Sequence, residues 1–258
     1  MGRVHLFELL DFPGWPAVLR RGCTSYLQWI TCKLNLFDMA PALILRALKV
    51  CKTNTILDLG SGSGGPWFGL SKKIHSKIPD CEIILSDKFP DSEGINRVKA
   101  IGHPKFSYCE QSVDALQVAQ SGSVLRTQFF SFHHFKPEDA CSFLSDSVRN
   151  NHGILIFDGS RKERTKGILT SPMIFFMSLF SSPFWKPFTP VNILFSIFPL
   201  IPLSIMFDGI VSYLRFYSKE ELLDLVAQAD PSGQFDWEAE DVQTKYGWIT
   251  YLAGFPRS

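Results

Sequence analysis

The sequence predicts an α/β protein built on a doubly wound parallel sheet, and two observations lead to this fold class. Between residues 54 and 157, short apolar runs typical of strands alternate with amphipathic stretches typical of helices. A glycine-rich turn over residues 60–65 follows the first apolar run and leads into a predicted helix. Such a turn lets backbone N–H groups approach a ligand closely. A ligand site is therefore expected at the carboxyl edge of the sheet.

A helical cap is predicted ahead of the sheet. Within residues 16–49, Leu27, Ile30 and Leu34 recur at the spacing of one apolar helix face. The core elements then follow in order along the chain. Strands are predicted near residues 54–58, 82–86, 105–108, 124–130 and 153–157, and helices near 66–78, 91–101 and 137–149.

The alternation stops after the fifth predicted strand and resumes near Ser218. Ser218 and Glu221 have the spacing of a capping box, which predicts a helix running to Ala229. Two strands are predicted behind it, near residues 235–241 and 246–253. The expected organisation is a helical cap over residues 1–50, a core over 51–167, a hydrophobic insertion over 168–215 and the rest of the core over 216–258.

Composition narrows the function classes. The 258 residues carry a formal net charge of +1, so no global charge favours binding to nucleic acid. Six cysteines lack any C-x-x-C or zinc spacing, which is typical of reduced thiols in a cytoplasmic protein. Glu8 and Asp11 interrupt the only early apolar run, so no signal peptide is expected. A cytoplasmic location is predicted, with membrane association left open.

Residues 58–66 read Asp-Leu-Gly-Ser-Gly-Ser-Gly-Gly-Pro and are the most informative stretch of the chain. Gly60, Gly62 and Gly65 also satisfy G-x-G-x-x-G, which leaves a nicotinamide or flavin site open. The Gly-Lys-Ser/Thr of a P-loop is absent from the sequence here. Asp58 discriminates between ligands, because a carboxylate repels a pyrophosphate and attracts an ammonium group. A tight turn that binds nothing is the structural alternative.

The spacing of Asp58 and the glycines after it resembles the first motif of the class I S-adenosylmethionine (SAM)-dependent methyltransferases. The order of elements extends the resemblance over residues 45–160 and 216–255, although only the glycine motif is specific. It implies a Rossmann-like, seven-stranded sheet with an antiparallel last strand, and SAM as the cofactor. The residues implied around the methionine end of SAM are Asp58, Gly60, Ser61, Gly62 and Gly64.

Two further acids follow predicted strands. Asp87 ends the second strand, and the resemblance implies that it binds both ribose hydroxyls of SAM. Asp114 lies past the third strand, where the resemblance implies a contact with the adenine amino group. Val113 is then expected to pack on the adenine ring. Each acid is also suited to capping the helix that follows it.

His133 and His134 follow the fourth strand, where the resemblance places a motif beside the transferred methyl group. An imidazole with a reference pKa of about 6.5 suits a general base, which is needed only where the acceptor keeps its proton. Adjacent side chains of an extended chain point in different directions, so one histidine at most is expected to face the acceptor. The alternative is that both orient the loop, or stack on adenine beside Phe132 and Phe135.

Asp158 ends the fifth strand and is suited either to touching a substrate or to terminating the strand. With Asp87 and His134 it makes no recognisable metal-ligand spacing. No metal is therefore expected from the sequence.

The insertion is strongly apolar. From Ile168 to Phe207 the only charged residue is Lys186, and prolines interrupt both halves. Three alternatives remain open: a two-pass membrane hairpin, an interfacial anchor, and a soluble lid over an apolar acceptor pocket. The basic run 161–166 suits either anionic headgroups or solvent. Asp208, which ends the apolar run, is a candidate acceptor contact.

The expected function is methyl transfer from SAM to a small lipophilic or membrane-resident acceptor. His133, His134 and Asp208 are the residues expected to face that acceptor. Whether oxygen, nitrogen or carbon is methylated stays open, because one fold hosts all of these chemistries. The alternative is a non-catalytic membrane or interaction protein built on a methyltransferase-like fold.

Overall fold

One mixed sheet organises the protein in a computed structural model that describes residues 2–118, 122–186 and 188–257. Its strands are β1 (Thr55–Leu59), β2 (Glu82–Ser86), β3 (Phe106–Tyr108), β4 (Leu125–Phe129), β5 (Gly153–Gly159), β6 (Phe235–Thr244) and β7 (Gly247–Pro256). Their order is β3-β2-β1-β4-β5-β7-β6, and β7 runs antiparallel to both of its neighbours. The predicted α/β class, the seven strands and the antiparallel last strand are confirmed.

Helices cover both faces of the sheet. They are α1 (Ala17–Leu34), α2 (Ala40–Val50), α3 (Trp67–His75), α4 (Ser92–Ile101), α5 (Pro137–Arg149), α6 (Arg164–Ser181), α7 (Pro190–Ile197), α8 (Leu200–Arg215) and α9 (Lys219–Ala229). The predicted cap consists of two helices, because Asn35 takes a left-handed conformation with φ of 48° and ends α1. The predicted capping box is present, with Ser218 and Glu221 bonded reciprocally at the start of α9.

The apolar core lies in two layers against the sheet. Ile44 of α2 and Trp67 of α3 are fully buried on one side, and Phe143 of α5 with Leu225 of α9 are buried on the other. Every residue of β5 is buried, since this strand lies between β4 and β7 in the middle of the sheet. β5 extends two residues past its predicted end because Asp158 and Gly159 still pair with β7.

The insertion packs against α1 and not directly on the sheet. α6 lies along α8, and both α7 and α8 contact α1. Tyr26 of α1, Trp185 and Ile201 of α8 form a separate buried cluster. A Cβ atom on Gly22 would overlap the side chain of Ile201, so this glycine allows α1 and α8 to approach closely.

Part of the insertion meets the length and composition of a membrane span. The segment Arg161–Phe184 qualifies by itself, with 28% of its apolar window buried in the protein. α7 and α8 qualify only as a pair, and they are bent by 74° at the break between them. By themselves these segments are weak evidence for a span, since core helices of soluble proteins pass the same test.

Candidate functional site

The turn between β1 and α3 has a backbone that requires glycine. Gly60, Gly62 and Gly64 have φ values of +75°, +52° and +100°, in the region that disfavours side chains. A Cβ atom on Gly60 would lie 2.9 Å from Cβ of Ser131, and one on Gly64 would lie 2.6 Å from the ring of Phe68. The turn thus combines a left-handed backbone that glycine adopts without strain with close packing, and it exposes backbone where a ligand can approach.

A cavity of about 800 Å³ opens beside this turn at the carboxyl ends of the strands. The volume lies within the range of roughly 300–1,000 Å³ that is usual for small-molecule sites. Several predicted site residues line it together: Gly60, Ser61, Gly62, Asp87, Val113, Asp114 and His134. The residues that complete the predicted set, Asp58, Gly64, His133 and Asp208, are not among its lining residues.

Asp87 lies at the cavity wall just past β2. Its Oδ2 accepts the N–H of Gly62 at 2.7 Å, and its Oδ1 accepts the N–H of Phe89 at 2.7 Å. Burial raises the pKa of Asp87 above its ordinary value. Each carboxylate oxygen keeps a lone pair for another donor, so the side chain is held in place and still able to accept two hydroxyls.

Asp114 combines the two roles that the sequence left open. Its Oδ1 accepts the N–H of Leu116 and so caps the short 3₁₀ helix Ala115–Gln117. Its Oδ2 lies 2.8 Å from Nζ of Lys88, and the residue also lines the cavity. Val113 lies next to it on the same wall, where its backbone N–H donates to the carbonyl of Asp87.

Asp58 stabilises the glycine turn through side-chain hydrogen bonds and does not itself line the cavity. Its Oδ2 accepts from the hydroxyl of Ser61 at 2.5 Å, and its Oδ1 accepts from the hydroxyl of Thr127 at 2.7 Å. Burial raises the pKa of Asp58 to about 7. Its predicted contact with an ammonium group stays a prediction, while its bonds to the turn and to β4 are direct.

His133 and His134 lie in a short 3₁₀ helix, Phe132–His134, and not in the extended chain expected from the sequence. In this conformation their ring centroids are 4.4 Å apart, so both imidazoles point into the same region. The expectation that adjacent side chains diverge was wrong, because it assumed an extended backbone. The two rings nevertheless differ in their surroundings.

His133 is buried among carboxylates. Its Nδ1 lies 2.8 Å from Oδ1 of Asp158, and its Nε2 lies 3.5 Å from Oε1 of Glu8. Burial alone would lower the pKa of His133, but the two carboxylates outweigh it and raise the pKa to about 10. An imidazole held protonated near neutral pH is a poor general base.

His134 is the histidine that reaches the cavity. Its Nδ1 lies 2.6 Å from Oδ1 of Asp11, while its Nε2 is 3.6 Å from Oε2 of Glu8, beyond hydrogen-bond distance. In the tautomer in which Nδ1 carries the proton, Asp11 fixes the ring and leaves the Nε2 lone pair free to accept one. Of the two histidines, His134 is therefore better placed for acid–base chemistry.

The chain is similar to known proteins in its fold. It matches no family model and no curated protein. A solved SAM-dependent methyltransferase from Aquifex aeolicus is 17% identical, with a TM-score of 0.50 over 91% of this chain and 98% of that one. The fold is that of the class I SAM-dependent methyltransferases. At this identity the similarity establishes the fold and not the substrate.

Two weaker similarities involve methyltransferases of known ligands. The magnesium protoporphyrin IX methyltransferase of Synechocystis, solved with bound SAH, is 11% identical over 85% of this chain and 83% of that one, with a TM-score of 0.48. Human N-acetylserotonin methyltransferase in complex with SAM is 16% identical over 90% of this chain and 56% of that one, with a TM-score of 0.47.

On this methyltransferase fold, Asp208 fastens the N-terminal segment. Its carboxylate accepts the backbone N–H groups of Leu9 at 2.7 Å and Leu10 at 3.3 Å. Burial raises the pKa of Asp208 to about 7. These bonds hold the side chain on the backbone of a short 3₁₀ helix, Leu9–Asp11. A contact between Asp208 and an acceptor stays a prediction.

Sequence reasoning missed the residues that close this side of the methyltransferase fold. Arg215 of α8 is almost fully buried, with Nη2 2.7 Å from Oδ2 of Asp11 and Nη1 3.3 Å from Oε1 of Glu8. Glu8 and Asp11 entered the sequence argument only as interruptions of an apolar run. Two acids within residues 6–15, which are otherwise apolar and aromatic, were the available signal, since such charges need buried partners.

The insertion does not form the wall of the cavity. Its residues from 168 to 207 are not among the lining residues, whereas Arg20, Thr24 and Gln28 of α1 are. The opposite side of α1 packs on Trp185 and Ile201. α1 therefore separates the cavity from the insertion, and Arg215 at the end of α8 reaches the histidine pair.

Proposed function

We propose that the protein is a SAM-dependent methyltransferase that acts on a lipophilic acceptor. The observation that carries this proposal is the cavity in which the glycine turn, Asp87 and Asp114 meet His134. SAM would supply an activated methyl group to this site. Transfer of that group to a nucleophile is an in-line displacement, so the main task of the protein is to align donor and acceptor.

The lining residues that follow β1, β2 and β3 fit the amino-acid, ribose and adenine parts of SAM, in that order. Asp87 has free lone pairs for the ribose hydroxyls, because each of its oxygens accepts a single backbone N–H. Val113 and Asp114 lie on the adjacent wall, where an adenine ring and its amino group fit. The backbone of Gly60 and Gly62 lies between Asp87 and Ser131, which is where the amino-acid end fits.

We assign to His134, which lines the cavity, the role of taking a proton from a hydroxyl or amine acceptor. The carboxylate of Asp11 fixes the ring at Nδ1, so the Nε2 lone pair is the proton acceptor. A positioned base of this kind contributes roughly 10²–10⁴ in rate. Where the acceptor has no proton to lose at neutral pH, alignment in the cavity suffices.

A lipophilic acceptor is proposed because the insertion carries a large exposed apolar face. The most exposed of its large apolar side chains are Leu169 at 75%, Phe180 at 72%, Ile197 at 68%, Phe184 at 67% and Phe198 at 64%. Contiguous apolar surface beyond a few hundred Å² marks interaction sites on soluble proteins. A membrane surface is the partner we propose for this face, with the helices lying at the interface.

The basic residues near the start of α6 are not expected to contribute much to membrane binding. The basic run before α6 is paired within the protein, since Arg161 lies 2.8 Å from Glu221 and Lys162 lies 3.2 Å from Asp241. Binding through the apolar face should therefore be insensitive to salt and to the content of anionic lipid. This insensitivity would distinguish docking through the apolar face from a contact between basic residues and anionic headgroups.

Methyl transfer into a membrane extract tests the proposed function. Purified protein is mixed with SAM carrying a tritiated methyl group and a lipid extract, and the label is followed into the organic phase. Label in a defined compound, dependent on Asp87, supports the enzyme. No transfer to any fraction, despite SAM binding, would favour the non-catalytic alternative.

A further inference from the structure

We propose that Glu8, His133 and His134 form a binding site for a divalent metal ion, with Zn²⁺ as the best fit. Each residue offers one ligand atom, and the three atoms lie within 4.8 Å of one another. Nε2 of His133 lies 3.5 Å from Oε1 of Glu8, and Nε2 of His134 lies 3.6 Å from the other carboxylate oxygen, Oε2. The ligand atoms of a tetrahedral zinc site with bonds of about 2.0–2.1 Å lie roughly 3.3 Å apart. The cluster is therefore close to the required size.

The groups behind the ligands have the arrangement that metal-binding histidines need. Nδ1 of His133 lies 2.8 Å from Asp158, and Nδ1 of His134 lies 2.6 Å from Asp11. A histidine that donates its Nδ1–H to a carboxylate presents the Nε2 lone pair to a metal and is more basic. Both histidines are thus oriented toward Glu8 by partners that are not themselves ligands.

The charge of the cluster also favours a cation. The carboxylates of Glu8, Asp11 and Asp158 outnumber two guanidinium groups. Arg215 pairs with the first two acids, and Arg3 donates to the carbonyl of His133. A metal binds only unprotonated imidazoles, so Zn²⁺ would displace the proton that the carboxylates hold on His133. The group is then negative, and Glu8 and His133 are buried. Buried charges need compensation, which a divalent ion would provide. Two imidazoles and one carboxylate are ligands that suit zinc and leave a coordination position open.

The site would join distant parts of the chain. Glu8 belongs to the N-terminal segment, whereas the histidines follow β4, so no local sequence spacing announces the site. Glu8 lies outside the set of Asp87, His134 and Asp158, whose spacing predicted no metal site. A bound metal would cross-link the N-terminal segment to the histidines beside the cavity. It would also occupy Nε2 of His134, so zinc should suppress any reaction that uses this imidazole as a base.

Zinc titration of the untagged full-length chain, after removal of metals with EDTA, tests the site without SAM. We expect one equivalent of Zn²⁺ to bind with micromolar or tighter affinity, on the order expected for a three-ligand site. Co²⁺ in its place should give the visible absorption of a four-coordinate ion. Glu8→Gln should weaken zinc binding by at least about 100-fold, and Asp11→Asn by roughly 10–100-fold, the effect usual for partners behind the ligands.

A surface control guards against adventitious binding. His75 and His103 stack with ring centroids 3.8 Å apart, away from the cluster, and His103→Asn should leave zinc binding unchanged. Binding by wild type that is no tighter than in Glu8→Gln, or that is lost in His103→Asn, would overturn the site. Circular dichroism checks folding, and if Glu8→Gln does not fold, the variant Asp11→Asn at an exposed position decides. Failure to bind SAM would leave the zinc result unaffected.

Discussion

The two sides of the cavity are built in different ways. On the glycine side, the partners lie 3 and 25 residues apart along the chain: Asp58 holds Ser61, and Asp87 holds Gly62. On the histidine side, the partners lie much farther apart along the chain: Asp11 is 123 residues from His134 and 204 residues from Arg215. The first side depends on local backbone geometry, and the second on long-range ion pairs.

This difference predicts which changes affect which step. Substitutions on the glycine side should alter SAM binding, because the backbone there forms the cofactor wall. Substitutions on the histidine side should spare SAM binding and alter turnover. The exposed face of the insertion should affect neither step in solution, since α1 lies between it and the cavity.

The largest expected effect is on turnover. In metal-free protein, His134→Asn should lower the turnover number by roughly 10²–10⁴ with an acceptor that must lose a proton, because the positioned base is removed. SAM affinity, measured by calorimetry, should stay within about threefold of wild type. Normal turnover in this variant would show that alignment alone drives the reaction and that the histidine is structural. His152→Asn, a histidine outside the cavity, is the control.

On the glycine side, Asp87→Asn should weaken SAM binding by roughly 10–100-fold. A hydrogen bond to a charged group contributes about 1.5–3 kcal/mol, and the amide loses that charge while keeping the shape. Calorimetric titration measures the change, and Asp224→Asn on the exposed side of α9 is the matched control. Equal affinity in both variants would remove Asp87 from the cofactor site.

The apolar face should matter only when a membrane is present. Phe180→Glu should lower the fraction of protein that sediments with neutral vesicles by about tenfold or more, since burying a Phe side chain is worth about 1.5–3 kcal/mol. Val50→Glu changes an equally apolar residue, 47% exposed, at the end of α2 and should have no effect. If added salt releases the wild-type protein, or if both variants behave alike, the apolar docking face is wrong.

The smallest effect concerns stability and pH. Burial raises the pKa of Asp58 from 3.8 to about 7, so between these values the folded state holds a proton that the unfolded state has lost. The free energy of unfolding therefore falls as pH rises through this window. Asp58→Asn removes that dependence, and its Tm relative to wild type should rise between pH 4 and pH 8, by roughly 2–4 °C for each kcal/mol. Parallel Tm profiles would contradict the raised pKa.

The same division explains what could be predicted from the sequence. The sheet, the glycine turn and the placing of Asp87 and Asp114 follow from local patterns, because strand ends and turns are set by neighbouring residues. The roles of Glu8, Asp11 and Arg215 did not follow, since their partners lie far away along the chain, as the separations of 123 residues to His134 and 204 residues to Arg215 from Asp11 show. The 3₁₀ helix that holds both histidines was missed for a related reason: its conformation depends on Asp158, which accepts the N–H of His133.

Calorimetric titration of the wild-type protein with SAM tests the central claim most directly, which is that the cavity beside the glycine turn is a SAM site. We expect one molecule of SAM to bind per chain, with S-adenosylhomocysteine competing for the same site. Gly60→Val, whose side chain would collide with Ser131, should abolish binding, whereas Gly69→Ala on α3, where a Cβ meets open space, should not. A wild-type protein that binds neither ligand, or that binds a nicotinamide or flavin dinucleotide at this turn instead, would contradict the account.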